Sequence, residues 1–176
     1  MEKVIKILGG DEIAKKAVEL LLENYELGSI KEVDWEVALT LDYYRLAVPM
    51  KAYSLSWNQR FFGSEFEIPY VVRFFFRDLK RGGASKEKAI TDYFEKIGEK
   101  RPENFVTIFD EIVKRSKNLI VCAEDVVDVC LRLNYEPGAV IAEMKGAGLI
   151  SPFMGCGKLG RARAPLYEIN RFFSIL

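Results

Sequence analysis

The sequence predicts a mainly helical protein: an all-helical domain over residues 1–101, then at 102–176 a smaller α+β domain in which three helices carry a small antiparallel sheet. Three observations point there. Apolar residues recur at helical spacing through most of the first hundred positions. Arg101-Pro102 interrupts that pattern, because proline removes a backbone donor and pushes the preceding residue out of helical geometry. Beyond it, proline and glycine divide the chain into short segments that end in two strand-like runs flanking a glycine-rich stretch.

Asp11 is suited to cap a helix running to about Asn24, since Ile13, Ala17, Leu20 and Leu21 repeat at helical spacing while Lys15, Lys16 and Glu19 fall outside that stripe. A second periodic segment starts near Asp34, presents Val37, Leu41 and Tyr44 on one side, and breaks near Pro49. The stretch from Tyr53 to Phe76 is the richest in aromatic rings and is the expected centre of the N-terminal core. Within it Pro69 takes a first helical position, the helix reads Tyr70 to Arg81, and Gly82-Gly83 stops it. Ser85 caps the next helix, whose inner face is Ala89, Ile90, Tyr93, Phe94 and Ile97. After Pro102, the stripe Phe105, Ile108, Phe109, Ile112 and Val113 is the clearest amphipathic pattern in the chain. The link at Pro102 is short, so the two domains are expected to pack together. The sequence is expected to contain no internal repeat and no low-complexity tract.

Composition excludes several function classes. Hydrophobic residues make up 49% and charged residues 30%, the balance of an ordinary globular protein. No apolar run approaches the ~18 residues of a membrane span, and the charged start Met1-Glu2-Lys3 is not that of a signal peptide, so a cytoplasmic protein without membrane contact is expected. Histidine is absent, which removes the commonest general base and transition-metal ligand. Cys122, Cys130 and Cys156 contain no C-x-x-C pair and read as small buried hydrophobes. A single glutamine, Gln59, beside many Glu and Lys suits a thermophile. With no nucleophile beside a base, no metal cluster and no cofactor fingerprint, the expectation is a non-enzymatic protein with no catalytic residue, no metal and no cofactor. The 26 basic and 26 acidic side chains cancel, so nucleic-acid binding would have to come from a local patch.

The last third carries the most information. Leu119-Ile120-Val121 is a minimal strand, and Ala123 to Leu133 is a helix with Val126, Cys130 and Leu133 inward. Asn134-Tyr135-Glu136 is a tight turn, after which Pro137 starts a helix packed by Val140, Ile141 and Met144 and ended by Gly146 and Gly148. Strands at Leu149–Met154 and Pro165–Asn170 then flank a glycine-rich, basic hairpin at 155–163. This order of helix, strand, helix, turn, helix, strand, hairpin and strand resembles the winged helix-turn-helix superfamily. The segment from Asn134 to Val140 is similar to its turn into the recognition helix, and Gly146 to Ile150 to its exit into the wing.

The resemblance implies a DNA-binding protein, a transcription regulator or an accessory factor of DNA processing, with duplex DNA as partner. Tyr135, Gly138, Ala139, Ala142 and Lys145 would then face the major groove, and the wing residues Lys158, Arg161 and Arg163 the phosphate backbone or minor groove. Residues 150–176 carry Lys158, Arg161, Arg163 and Arg171 against Glu168 alone. Glu136 and Glu143 on the recognition helix, with Glu124, Asp125 and Asp128 before it, depart from a phosphate-binding pattern. They motivate the alternative, a subunit that uses the same fold to dock a protein partner or a second copy as a homodimer.

Weaker signals have plainer readings. The aromatic stretch interleaved with Arg60, Arg73 and Arg77 has the composition of a stacking platform, but at helical spacing it reads as core. Gly155-x-Gly157-Lys158-x-Gly160 lacks the Lys-Ser/Thr pair of a phosphate loop and reads as a wing turn. Glu143-Met144-Lys145 mimics a nuclease element, yet it falls inside a helix with no strand-borne aspartate beside it.

Overall fold

The computed structural model describes residues 1–50, 65–153 and 165–176. The N-terminal part contains helices α1 (Glu2–Ile7), α2 (Glu12–Asn24), α3 (Trp35–Tyr43), α4 (Tyr70–Lys80) and α5 (Lys86–Lys96), with strands β1 (Ser29–Ile30), β2 (Val48–Pro49) and β3 (Phe66–Glu67). The C-terminal part runs α6 (Asn104–Arg115), β4 (Ile120–Cys122), α7 (Ala123–Arg132), α8 (Pro137–Ala147), β5 (Ile150–Pro152), β6 (Leu166–Ile169) and α9 (Arg171–Ile175). The protein is thus mainly helical with two small antiparallel sheets.

Helix ends follow local chemistry. The Asp11 carboxylate accepts from the Ala14 amide at 2.8 Å and the Ser85 hydroxyl from the Lys88 amide at 3.1 Å, each satisfying a donor with no partner inside its helix. Gly148, with φ of +83°, ends α8 in the left-handed conformation. Ile97 and Leu133, expected on inner faces, are exposed because each occupies the C-cap of its helix, where the chain has turned off the buried stripe.

The expectation of an all-helical domain over residues 1–101 does not hold. Strands β1, β3 and β2 form an antiparallel sheet in that order. Each spans two residues, too short for apolar alternation to register in the sequence.

That sheet repeats the one at the C-terminal end. The order β1-β3-β2 matches β4-β6-β5, and the registers coincide. Val48 faces Glu67 and Pro49 faces Phe66, as Ser151 faces Glu168 and Pro152 faces Tyr167. The Ile68 amide donates to the Gly28 carbonyl at 2.8 Å, and the Ile169 amide donates to the Leu119 carbonyl at 2.8 Å. Gly28 and Leu119 share a positive φ, as do Arg45 and Gly148 at the ends of the helices leading into β2 and β5. Upstream, the buried set Ala14, Ala17, Val18 and Leu21 of α2 recurs at the same spacing as Phe105, Ile108, Phe109 and Ile112 of α6. The chain therefore contains two units of one topology, differing chiefly in that α7 has no counterpart between β1 and α3. Residue identities conceal the repeat because burial, not side-chain type, is what the two units share.

Contacts between the units are reciprocal. Gly148 of the second unit lies against the Pro69 ring of the first, and Asn170, which stands where Pro69 does, donates to the Arg45 carbonyl at 3.0 Å. Arg45 also pairs with Glu168, and the Phe172 amide donates to the Tyr44 carbonyl at 3.1 Å. One continuous cluster of buried side chains spans both units. Within it Phe94 stacks on Phe105 at 3.7 Å between ring centres, and the Phe75 ring meets Phe172 and Phe173 at 5.2 and 6.0 Å.

Candidate nucleic-acid interface

Helices α7 and α8 meet at a turn built by its residue types. Asn134 takes a positive φ of 60°, which asparagine tolerates, and the Tyr135 amide donates back to the Cys130 carbonyl at 2.9 Å. Tyr135 is half-buried. Its hydroxyl accepts from the Asn104 side-chain amide at 2.9 Å and its ring meets Phe105 edge-on, so much of this side chain ties α8 to α6.

On α8 itself, Val140, Met144 and Ala147 are buried, while Gly138, Ala139, Ala142 and Lys145 are exposed on the opposite side. The outward residues named from sequence therefore share one open face, with Tyr135 at its edge. The N-terminus of the helix is already occupied. The Glu136 carboxylate accepts from the amides of Gly138, at 2.9 Å, and Ala139, and these bonds hold its pKa below the usual carboxylate range. An incoming phosphate would have to displace that carboxylate to reach the amides.

The acids of α7 are partly neutralised. Arg115 approaches Asp128 at 2.5 Å and Asp125 at 3.9 Å, while Arg132 reaches Glu111 at 3.3 Å and Asp128 at 3.7 Å. Glu143 is half-buried; burial first, and then the neighbouring Glu99 carboxylate, raises its pKa. Burial pushes the Cys130 thiol up to about 11, which leaves it protonated and unreactive at neutral pH, while Cys122 is half-buried. In the closing sheet, Glu168 of β6 is taken by Arg45, and the Arg171 guanidinium lies 4.2 Å from the centre of the Tyr43 ring. Lys158, Arg161 and Arg163, together with Cys156 and the glycine-rich hairpin, lie outside the described residues.

The sequence reading missed two features of this site. The clamp of Glu136 on its own helix follows from an acid directly before Pro137, a capping position that could have been recognised. The Arg45–Glu168 pair joins residues far apart in the chain, and nothing local announces it.

A family model matches the chain over residues 2–176, and its description states no activity. No curated protein and no solved structure matches the chain.

Proposed function

We propose, for a chain that belongs over residues 2–176 to an uncharacterised protein family, that the C-terminal unit is a winged helix with which the protein binds duplex DNA, as a regulator or an accessory factor of DNA processing. The observation that carries this reading is the open face of α8, where Gly138, Ala139, Ala142 and Lys145 are exposed on a helix that enters from a tight turn and leads into the β5–β6 hairpin. Small residues let a helix backbone approach base edges closely, and Lys145 adds a cation at its far end. Lys158, Arg161 and Arg163 fall between the two strands in sequence and supply the phosphate contacts. Glu168, the acid of that segment, is engaged by Arg45 and so opposes them less.

The test is binding of mixed-sequence duplex DNA across a salt series, by the protein and by a variant with Lys158, Arg161 and Arg163 changed to alanine. Affinity that falls with salt, with a slope smaller by about 3 in the variant, supports the wing as a phosphate contact. No binding at low salt, or equal binding by both proteins, removes it.

A second reading is favoured by one specific observation. Glu136 fills the phosphate-binding end of α8 with the chain's own carboxylate, and Leu131 stands 61% exposed just before it. An interaction subunit that docks a protein partner, or a second copy as a homodimer, would use this end of the helix pair without needing it to be cationic. Failure of duplex binding, with association that Leu131→Asp abolishes, would favour that reading.

A further inference from the structure

One hollow of the surface brings aromatic rings and cations together. The outer face of α4 emerges between the C-terminal ends of α2 and α5, and there a cavity of about 410 Å³, open to solvent, is lined by Tyr25, Glu26, Tyr70, Arg73, Phe74, Arg77 and Lys96. Its volume is within the range of ligand-binding clefts. Its walls alternate aromatic rings and cations. The Arg73 guanidinium lies 5.0 Å from the Tyr70 ring centre, that of Arg77 lies 4.7 Å from Phe74, and the Lys96 ammonium lies 5.6 and 5.7 Å from Tyr70 and Phe74. Lys80 extends the series at 5.5 Å from the Tyr25 ring.

The cations are not equivalent. Arg77 is neutralised by Asp78 and Asp92. Arg73 donates to the carbonyls of Tyr25 and Glu26, at 2.9 and 3.1 Å, which orients it without cancelling its charge. Among the described residues, Arg73, Lys80 and Lys96 form no ion pair with a carboxylate. Glu26 contributes a carboxylate to the lining, and it is engaged by the Tyr25 hydroxyl at 2.7 Å. Unlike the buried Phe75 and Phe76 of the same helix, Tyr70 is 40% exposed and Phe74 is half-buried.

We propose that this hollow binds one strand of nucleic acid, with a base stacked on Tyr70 and Phe74 and the flanking phosphates on Lys96, Arg73 and Lys80. Aromatic faces accept any base, and cations along the same track hold the backbone, the combination by which single strands are bound without sequence preference. Lys96 is on a flexible stem and can leave the ring faces for a phosphate while a base takes its place. A shallow, open cavity suits a strand that passes over it better than a small molecule that must be enclosed. Packing links the wall of the hollow to α8: the Tyr70 ring meets the buried Tyr93 ring at 5.7 Å, and the Tyr93 hydroxyl lies against Gly146. This inference rests on different residues from the duplex-binding proposal and stands or falls separately.

The test uses the full chain and fluorescence anisotropy with a labelled oligo-dT of about 15 nucleotides, near the upper site size of a single-strand binding module. The expected result is salt-sensitive binding that Tyr70→Ala weakens about tenfold, that Tyr70→Trp retains, and that Lys96→Glu weakens further as salt is lowered. Tyr70 and Lys96 are exposed, and far-ultraviolet circular dichroism establishes that each variant is folded. Absence of oligo-dT binding at about 50 mM salt overturns the proposal. Equal binding by Tyr70→Ala overturns it as well, as does competition by polyglutamate as effective as by unlabelled oligo-dT, which would mark the hollow as a site for acidic protein segments. Alanine at Lys158, Arg161 and Arg163 leaves oligo-dT binding unchanged if the hollow is the site. Loss of oligo-dT binding in that variant alone would transfer the activity to the hairpin and overturn the assignment.

Discussion

Asp78 shows how a single buried charge is made tolerable. Its side chain is 6% exposed, and burial alone would raise its pKa, but hydrogen bonds and charges from Arg77 and Lys88 more than offset this and hold the carboxyl below its usual range. A depressed folded-state pKa means that the stabilisation is present above the unfolded value, about 4, and is lost as pH falls through the folded one. Asp78→Ala should therefore destabilise by about 1–3 kcal/mol at neutral pH, since Arg77 and Lys88 lose one of the two carboxylates they share and keep Asp92, and urea denaturation should find the loss smaller at acid pH. Glu143 is the opposite case. Burial, and then Glu99, raise its pKa, so its ionised form costs stability above the folded pKa and the cost disappears as pH falls toward the unfolded value. Glu143→Gln should raise the melting temperature at pH about 7, with the gain shrinking toward pH about 4. A melting temperature lowered at neutral pH would show that the carboxylate has a favourable partner instead. Gly148 is constrained twice, by a φ of +83° and by the Pro69 ring against the place a Cβ would take. Gly148→Ala should cost about 2–4 kcal/mol, the sum of left-handed strain and overpacking.

At the scale of elements, legibility followed length. Helices α2, α4, α5, α6, α7 and α8 were readable because each repeats its apolar stripe over several turns and most begin or end on a recognisable residue, Asp11, Ser85, Pro137 or Gly148 among them. The strands of the first sheet were not, since pairing of two-residue strands depends on partners far along the chain. In the candidate interface the open face of α8 was legible in its periodicity, whereas the half-buried state of Tyr135 depends on Asn104 and Phe105 across a helix junction. The start of α8 offers a test of how this element meets a ligand. Glu136→Ala removes the carboxylate that its Gly138 and Ala139 amides now bind. If those amides approach phosphate, duplex affinity should rise about two- to fivefold in an anisotropy titration, because a negative charge is removed from a positive helix end. An affinity that stays constant or falls would place the DNA elsewhere.

For the whole molecule, the two units behave as halves of a dimer joined in one chain. Each presents the helix after its sheet to the end of the other's preceding helix, through the contact of Phe172 with Tyr44 in one direction and of α4 with α8 in the other. Equivalent positions carry different side chains, as the pairs Ala14 with Phe105 and Ala17 with Ile108 illustrate, so small residues in the first unit stand where large ones stand in the second. An interface so shared leaves neither half a complete core. Phe172 and Phe173 are fully buried, and Phe75, which both touch, belongs to the other unit. The chain should accordingly unfold as one cooperative transition, with calorimetric and van't Hoff enthalpies in agreement. Phe172→Ala should lower the stability of the whole by about 3–5 kcal/mol without splitting that transition. Residues 102–176 expressed alone should give broad, weakly cooperative melting, because Phe172 and Phe173 would lose Phe75 and face water. A sharp transition in that fragment, or two transitions in the intact chain, would instead make the units independent, and the reciprocal contacts a surface between finished domains.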